Sequence, residues 1–314
     1  MRKYLLGRFA KTIPVLCMIM IITFFVIRCM PGDPARMALG DKATEAQIEE
    51  LQIQLGLDKS LPEQFVNWIQ DISKGDLGES LLWKRPVIEV IFERMEPTFI
   101  LAIIGQLIGT FLGMTLGMIA AIYYKKIPDY LFQLLSLIAV SIPCFWLLLV
   151  MIQIFGVKLS VFPVAGYTMI NSGGVKNAIH SLMMPGIALG IMQSGQIARM
   201  TRTTLAETMK RDYLRTARAK GMDEKVVIAK HAFINTLGPV INVIGNSFAT
   251  LLGGTWVVES ICNIPGIGNL ALNAISTRDY PLIQGTLLFV AVIFTVMNLV
   301  VDIVCSLINP NVRS

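Results

Sequence analysis

Residues 98–124 read TFILAIIGQLIGTFLGMTLGMIAAIYY, without a single charge. A helix needs about 20 apolar residues to cross a hydrocarbon core about 30 Å thick, so this run is long enough to span. In lipid the backbone has no water to pair with, and a helix satisfies every N–H and C=O within the segment. Gly105, Gly109, Gly113 and Gly117 recur every four residues and therefore share one face of that helix. Small residues at this spacing let a second backbone approach closely, which matters because lipid supplies no hydrophobic drive between helices. The run reads as a membrane helix with a helix-packing glycine seam. Its partner is not specified by the pattern.

Working outward, five more apolar runs follow the same logic: 12–30, 130–156, 178–198, 236–258 and 281–308. The run 178–198 is the weakest, since it carries His180, Gln193 and Gln196. Composition agrees with a membrane protein. Hydrophobic residues make up 54% of the 314 and charged residues 15%, and mean hydropathy is +0.64. Soluble domains carry about 25% charged residues, so a water-soluble protein is excluded, as are disorder, collagen and coiled coil. The expected fold class is all-α, with six transmembrane helices. Arg2 and Lys3 before the first run resemble the start of a signal peptide. Its length and the lack of a small-x-small site before Pro31 argue for a retained helix. The five cysteines form no CxxC pair and no metal spacing, which leaves them as packing residues.

The net charge of +6 is a matter of sidedness. With the N-terminus in the cytoplasm, sixteen Lys and Arg fall on inner segments and three (Lys158, Lys176, Arg278) on short outer loops. Long segments cross largely regardless of charge, so 31–97 does not count against this orientation. The basic balance is therefore positive-inside bias, and no nucleic-acid partner is expected. The implied organisation is a cytoplasmic N-terminus at 1–11, a first span at 12–30 and an extracytoplasmic amphipathic segment at 31–97. A core at 98–308 follows, with a cytoplasmic C-terminus at 309–314.

Within 31–97, Thr44 is placed to cap a helix carrying Ile48, Leu51 and Leu55 on one face and ending at Gly56. Pro62 suits the first turn of a second helix with Phe65, Trp68, Ile69 and Ile72 on one stripe. Pro143 and Pro185 sit inside the third and fourth runs and permit kinks. Arg28 and Asp302 are the charges within the runs, each near an end, and read as structural.

The inner segment 199–235 keeps helical periodicity. Leu205, Met209, Tyr213 and Ala217 are four apart, predicting a helix over 205–220 that ends at Gly221, and Asp223 is placed to cap a second helix over 224–234. No GxxxxGK[ST], HExxH or GxSxG occurs, and His180 and His231 lie in different regions. No catalytic, cofactor-binding or metal-binding residues are expected. A spanning chain with a structured inner loop and no nucleotide site points to a pore-forming subunit driven by another protein.

At this loop RDYLRTARAKGMDEKVVIAKHAFINTLGPV (211–240) resembles the coupling loop of binding-protein-dependent ABC importer permeases. Arg215-Thr216-Ala217 stands at the Glu-Ala-Ala place of the general signature, and Gly221 follows at the right spacing. His231–Ile234 fill the Ile-x-Leu-Pro place, with a proline only at 239. These departures are similar to the dipeptide, oligopeptide and nickel branch, as are PGDPA (31–35), GDLGES (75–80), RPVIEVIFERMEPT (85–98), LLGGTWVVES (251–260), PGIGNLALNAISTRDYP (265–281) and NLVVD (298–302). The chain is most similar to the first permease subunit of that branch. The resemblance implies a type I permease bundle of six helices in a bacterial cell membrane. It implies a homologous second permease, two cytoplasmic ABC ATPase subunits and an extracytoplasmic solute-binding protein as partners, besides membrane lipid. ATP hydrolysis would belong to the separate ATPase subunits. Asp212, Tyr213, Arg215, Thr216, Ala217, Arg218, Ala219, Lys220 and Gly221 would form the ATPase-coupling loop, with Arg215, Arg218 and Lys220 steering or pairing with acidic groups. Peptides are the expected substrates by breadth of the branch; nickel or a metal chelate is the alternative, and glutathione is a further family possibility. A stand-alone secondary carrier would show ionisable pairs at mid-membrane, and a membrane scaffold would have no transport path.

Overall fold

The computed structural model describes residues 2–28, 33–40 and 43–308. The expected C-terminal segment 309–314, Cys29 and the start of PGDPA lie outside them. Helices follow in the order α1 Arg2–Arg28, α2 Pro34–Leu39, α3 Glu45–Gln54, α4 Leu61–Ser73, α5 Val87–Ile122, α6 Ile127–Ser141 and α7 Cys144–Met151. After a π-helical turn at Ile152–Lys158 come α8 Ile170–Thr208, α9 Asp212–Ala219, α10 Glu224–Val226, a second π-turn at Val227–Ala232, α11 Phe233–Gly254, α12 Trp256–Ile261, α13 Ile267–Thr277 and α14 Tyr280–Ile308. Among the described residues no strand is formed. The fold is all-α.

By length and apolarity three helices can cross a membrane, Val87–Ile122, Glu224–Gly254 and Tyr280–Ser306. A fourth is added if α6 and the α7 segment, bent by 95° where they meet, count as one. The run 130–156 is thus broken where only a kink was expected. Ile142 precedes Pro143, whose ring pushes it out of the helical region to φ −78°, ψ 123°. Pro185, in contrast, stays inside α8. The apolar part of α1, Thr12–Arg28, is shorter than the other spans, and α8 is long but more polar.

Helices run past two of the expected segment boundaries. Residues 87–97, assigned to the outer segment, are the first turns of α5. Residues 199–208 continue α8, and 224–235 run directly into α11, so the inner connection between helices shrinks to the elbow around α9.

The centre of the bundle is the α5–α8 pair, packed along its length. Leu101, Leu182, Met184, Leu189, Leu251 and Ile264 form its buried core. The glycine face of α5 lies on α8. A Cβ at Gly109 would sit 3.0 Å from the Gly190 carbonyl oxygen, one at Gly113 2.6 Å from Ile197 Cβ, and one at Gly117 2.5 Å from the Ala198 carbonyl oxygen. Gly105 faces Leu189. Gly186 and Gly190 of α8 make the approach reciprocal, meeting Ile104 and Ile108. Glycines on each helix receive side chains and backbone of the other, which brings many atoms into dispersion contact, each small and collectively large.

α3 opens with a reciprocal cap in which Thr44 and Gln47 satisfy each other's backbone N–H groups. α4 packs on the carboxyl end of α1, where the Phe24 ring lies 5.0 Å from Phe65 and 5.6 Å from Trp68. Arg28 donates to Gln64 Oε1 at 2.7 Å and lies 3.6 Å over the Phe24 ring. Its charge is therefore structural, holding α4 to α1.

Candidate functional site

The elbow is built from the end of α8, the short helix α9 and the start of the α10–α11 helix. α8 stops at Thr208, and a turn at Met209–Arg211 redirects the chain before α9. The continuous helix expected over 205–220 is therefore two helices. Its periodicity persists because both pieces feed one small core. Leu205, Leu214, Val227, Ala232 and Ala121 are buried together, with Met209 and Ala217 packed against them. Gly221 then turns the chain at φ +76°, and a Cβ there would meet nothing within 4 Å. The left-handed backbone, not crowding within this chain, is what asks for glycine. Asp223 accepts from the Lys225 N–H and starts α10.

This geometry sorts the nine residues expected from the resemblance to form a coupling loop. Asp212, Tyr213, Arg215, Thr216, Ala219, Lys220 and Gly221 face outward and are exposed. Ala217 faces inward against the small core, so its size serves α9's own seat. Arg218 is committed within the chain. It grips Glu224 with Nε and Nη2 at 2.8–3.2 Å and donates from Nη1 to the Met209 carbonyl at 3.4 Å. It bridges the turn after α8 to the start of α10. The hydrogen bonds to Glu224 raise its pKa above the ordinary arginine value, so it stays charged. Beneath α9 the Val227–Ala232 π-turn changes the backbone pairing, and the His231 carbonyl accepts from Asn235 at 2.7 Å and Tyr213 at 3.4 Å. The elbow is pinned to both long helices.

A further tie at the same end joins α6 to α8. Asp129 is buried and accepts both Nε and Nη2 of Arg202, at 2.5 and 2.8 Å, together with the Lys125 N–H at 2.8 Å. The pair lies at helix ends, just outside the apolar runs, and latches them together.

Three carboxylates at the opposite end escape sequence reading. Each closes the amino end of a helix, where N–H groups lack partners and the dipole favours negative charge. Glu96 accepts from Ile170 N–H at 2.9 Å and Tyr167 Oη at 2.6 Å, capping the short helical turn that precedes the non-helical Gly174 (φ +75°, ψ 164°) at the start of α8. Asp279 accepts from Leu282 N–H at 3.2 Å and from Ser80 Oγ at 2.5 Å, capping α14 and tying GDLGES to it. Glu259, fully buried, accepts from Thr98 and Thr255 hydroxyls at 2.8 Å each and from Asn269 N–H at 2.9 Å. Thr98 in turn accepts from Ile267 N–H at 2.9 Å, so a glycine-capped α13 is capped from a distance. An Asp just before a helix is a cap signal that was available for Asp279. Glu96 and Glu259 act across gaps of 74 and 10 to 161 residues and give no local sign.

Residues 113–314 match the binding-protein-dependent transport system inner membrane component family, and residues 1–104 its N-terminal component. A Brucella abortus (strain 2308) protein named as a peptide transport system permease is 38% identical over 313 residues, covering 100% of this chain and 99% of that one. A glutathione transport system permease protein, GsiC, of Pectobacterium atrosepticum is 38% identical with the same coverage. Among solved structures, the MetNI methionine ABC transporter in inward-facing conformations shares the fold at a TM-score of 0.55 and 15% identity, covering 71% of this chain and 97% of that one. An amino acid ABC transporter crystallised with histidines gives 0.50 and 17%, covering 70% and 92%. A helical bundle built on a long central pair, an elbow pinned at one end and matches along nearly the whole sequence agree: the chain belongs to the family of binding-protein-dependent transport system inner membrane components, the ABC importer permeases.

Proposed function

We propose that this chain is one of two permease subunits of an ATP-driven importer of small peptides, with α9 as the element that docks on a separate ATP-hydrolysing subunit. The observation that carries the reading is the elbow. α9 offers an exposed polar face, while its other face is locked through Leu214 and Ala217 to α5, α8 and the π-turn that leads into α11. Arg218 and the His231 carbonyl add polar ties. A push on α9 is then transmitted to two long helices as a rigid-body movement, where a loose loop would absorb it. Counting α1, α8 and the bent α6–α7 segment with the three longest apolar helices gives six spans. The Lys and Arg distribution puts the elbow in the cytoplasm of a bacterial cell and the α3–α4 segment outside, where a solute-binding protein would deliver substrate. The peptide assignment follows the names of the relatives, glutathione itself being a tripeptide.

The test is uptake of a labelled dipeptide into vesicles carrying the reconstituted complex, with ATP supplied on the elbow side. Parent protein is expected to show saturable, ATP-dependent uptake and peptide-stimulated hydrolysis. Gly221→Val forces a β-branched residue to φ +76°, a strain of about 1–3 kcal/mol. It is expected to lower stimulated hydrolysis by about fivefold or more, since each 1.4 kcal/mol carried into the coupled step is a factor of ten, while the chain still inserts. Hydrolysis and uptake at parental levels in this variant would contradict the coupling role. Uptake of glutathione but not of dipeptides would revise the substrate alone.

A further inference from the structure

At the elbow end of the bundle, α5, α6 and α8 enclose a cavity of about 380 Å³, within the range of about 300–1,000 Å³ typical of ligand pockets. Its walls are apolar, from Leu116, Ala120, Phe132, Leu134 and Leu137, with Arg199 and Arg202 among them. Leu134 and Leu137 are 52% and 54% exposed, so the cavity opens at the surface of this chain along α6.

Next to it positive charge accumulates. Lys210 Nζ, Arg202 Cζ and Lys125 Nζ lie 5.0, 5.2 and 5.6 Å from the centre of the Tyr124 ring. Arg199 is exposed at the cavity wall. Asp129 is satisfied by Arg202. Among the described residues no carboxylate pairs with Lys125, Arg199 or Lys210. Lys125 and Lys210 thus share the Tyr124 ring with Arg202, which together with Arg199 lines the apolar pocket, so positive charge without a carboxylate partner stands beside it at the end of α5.

We propose that this site binds an anionic phospholipid, one acyl chain in the Leu116–Phe132–Leu137 cavity and the phosphate among Lys125, Arg199 and Lys210. Basic clusters beside spanning helices attract anionic headgroups. A free anion would use the charges and leave the apolar walls in contact with nothing. A lipid uses both. Lys210 lies in the turn between α8 and α9, so an occupied site touches the elbow directly.

The test takes the purified complex containing the full chain, delipidated in detergent. It is titrated with dioleoylphosphatidylglycerol or dioleoylphosphatidylcholine, and bound lipid is counted by native mass spectrometry. The parent is expected to prefer the glycerol lipid about tenfold. Lys125→Gln, Arg199→Gln and Lys210→Gln together, all at exposed positions, are expected to bring that preference to about twofold or less. Lys158→Gln with Lys176→Gln, two exposed cations at the other end, is expected to keep it. Equal binding of both lipids by the parent, or a preference that survives the triple variant, would overturn the site. So would a cysteine at Leu134 that cross-links in high yield to the second permease, because the cavity would then be covered by protein.

Discussion

Gly117→Leu is expected to prevent the bundle from forming. A Cβ at this position would lie 2.5 Å from the Ala198 carbonyl oxygen and 2.7 Å from Thr201 Cβ. The first of these is backbone of α8, which cannot rotate aside as a side chain does. Leucine would have to force α5 and α8 apart at the most extensive contact in the fold. Overpacking typically costs about 1–3 kcal/mol, and here it acts on a backbone contact, so the cost should exceed that range. Gly254→Leu is the control, because a Cβ there meets nothing within 4 Å. It is expected to change stability by no more than about 0.5 kcal/mol. Denaturation in detergent, read by loss of monodisperse protein, separates the two. A Gly117→Leu variant as stable as the control would mean that the glycine face of α5 is not a tight seam.

The second large effect is expected at Glu259. Its two oxygens accept three hydrogen bonds, from Thr98, Thr255 and the Asn269 N–H, in a site with no exposure. Glu259→Ala removes the acceptor and leaves three buried donors facing each other across a void. Leaving a buried donor without its acceptor costs about 1–3 kcal/mol, and three are affected here. Glu259→Gln keeps one acceptor oxygen, but its NH₂ must then oppose a donor, either a hydroxyl or the Asn269 N–H. It should fall between the parent and Glu259→Ala. Differential scanning fluorimetry of the purified chain measures this. Full retention of the parent melting temperature by Glu259→Ala would show that α12 and α13 are held by apolar packing alone.

What the sequence makes legible follows from the range of each interaction. The glycine face of α5 is periodic within one helix, so it can be read from four residues. Its partner is less visible, because α8 is diluted by His180, Gln193 and Gln196, although Gly186 and Gly190 repeat the same spacing. The helix α4 and its aromatic stripe are equally local. The break between α8 and α9 is hidden for a physical reason. α9 folds back onto the core that α8 already contacts, so Leu205, Met209 and Ala217 keep helical spacing across a turn. Arg218 reads as a solvent-facing coupling charge until Glu224 and the Met209 carbonyl are seen around it. The knots at the end of the bundle opposite the elbow are the least legible. Thr98 meets Glu259 and Ser80 meets Asp279 across 161 and 199 residues, joining motifs that have no local reason to be related.

The central claim, that α9 is the docking element for an ATP-hydrolysing subunit, is tested most directly by placing a photo-cross-linking amino acid at Tyr213, exposed on the outward face of α9. The same group at Ser73, exposed at the end of α4, serves as the comparison. In the assembled complex Tyr213 is predicted to yield an adduct with the ATPase subunit, and Ser73 none. An ATPase that co-purifies but cross-links from Ser73 and never from Tyr213 would contradict the account.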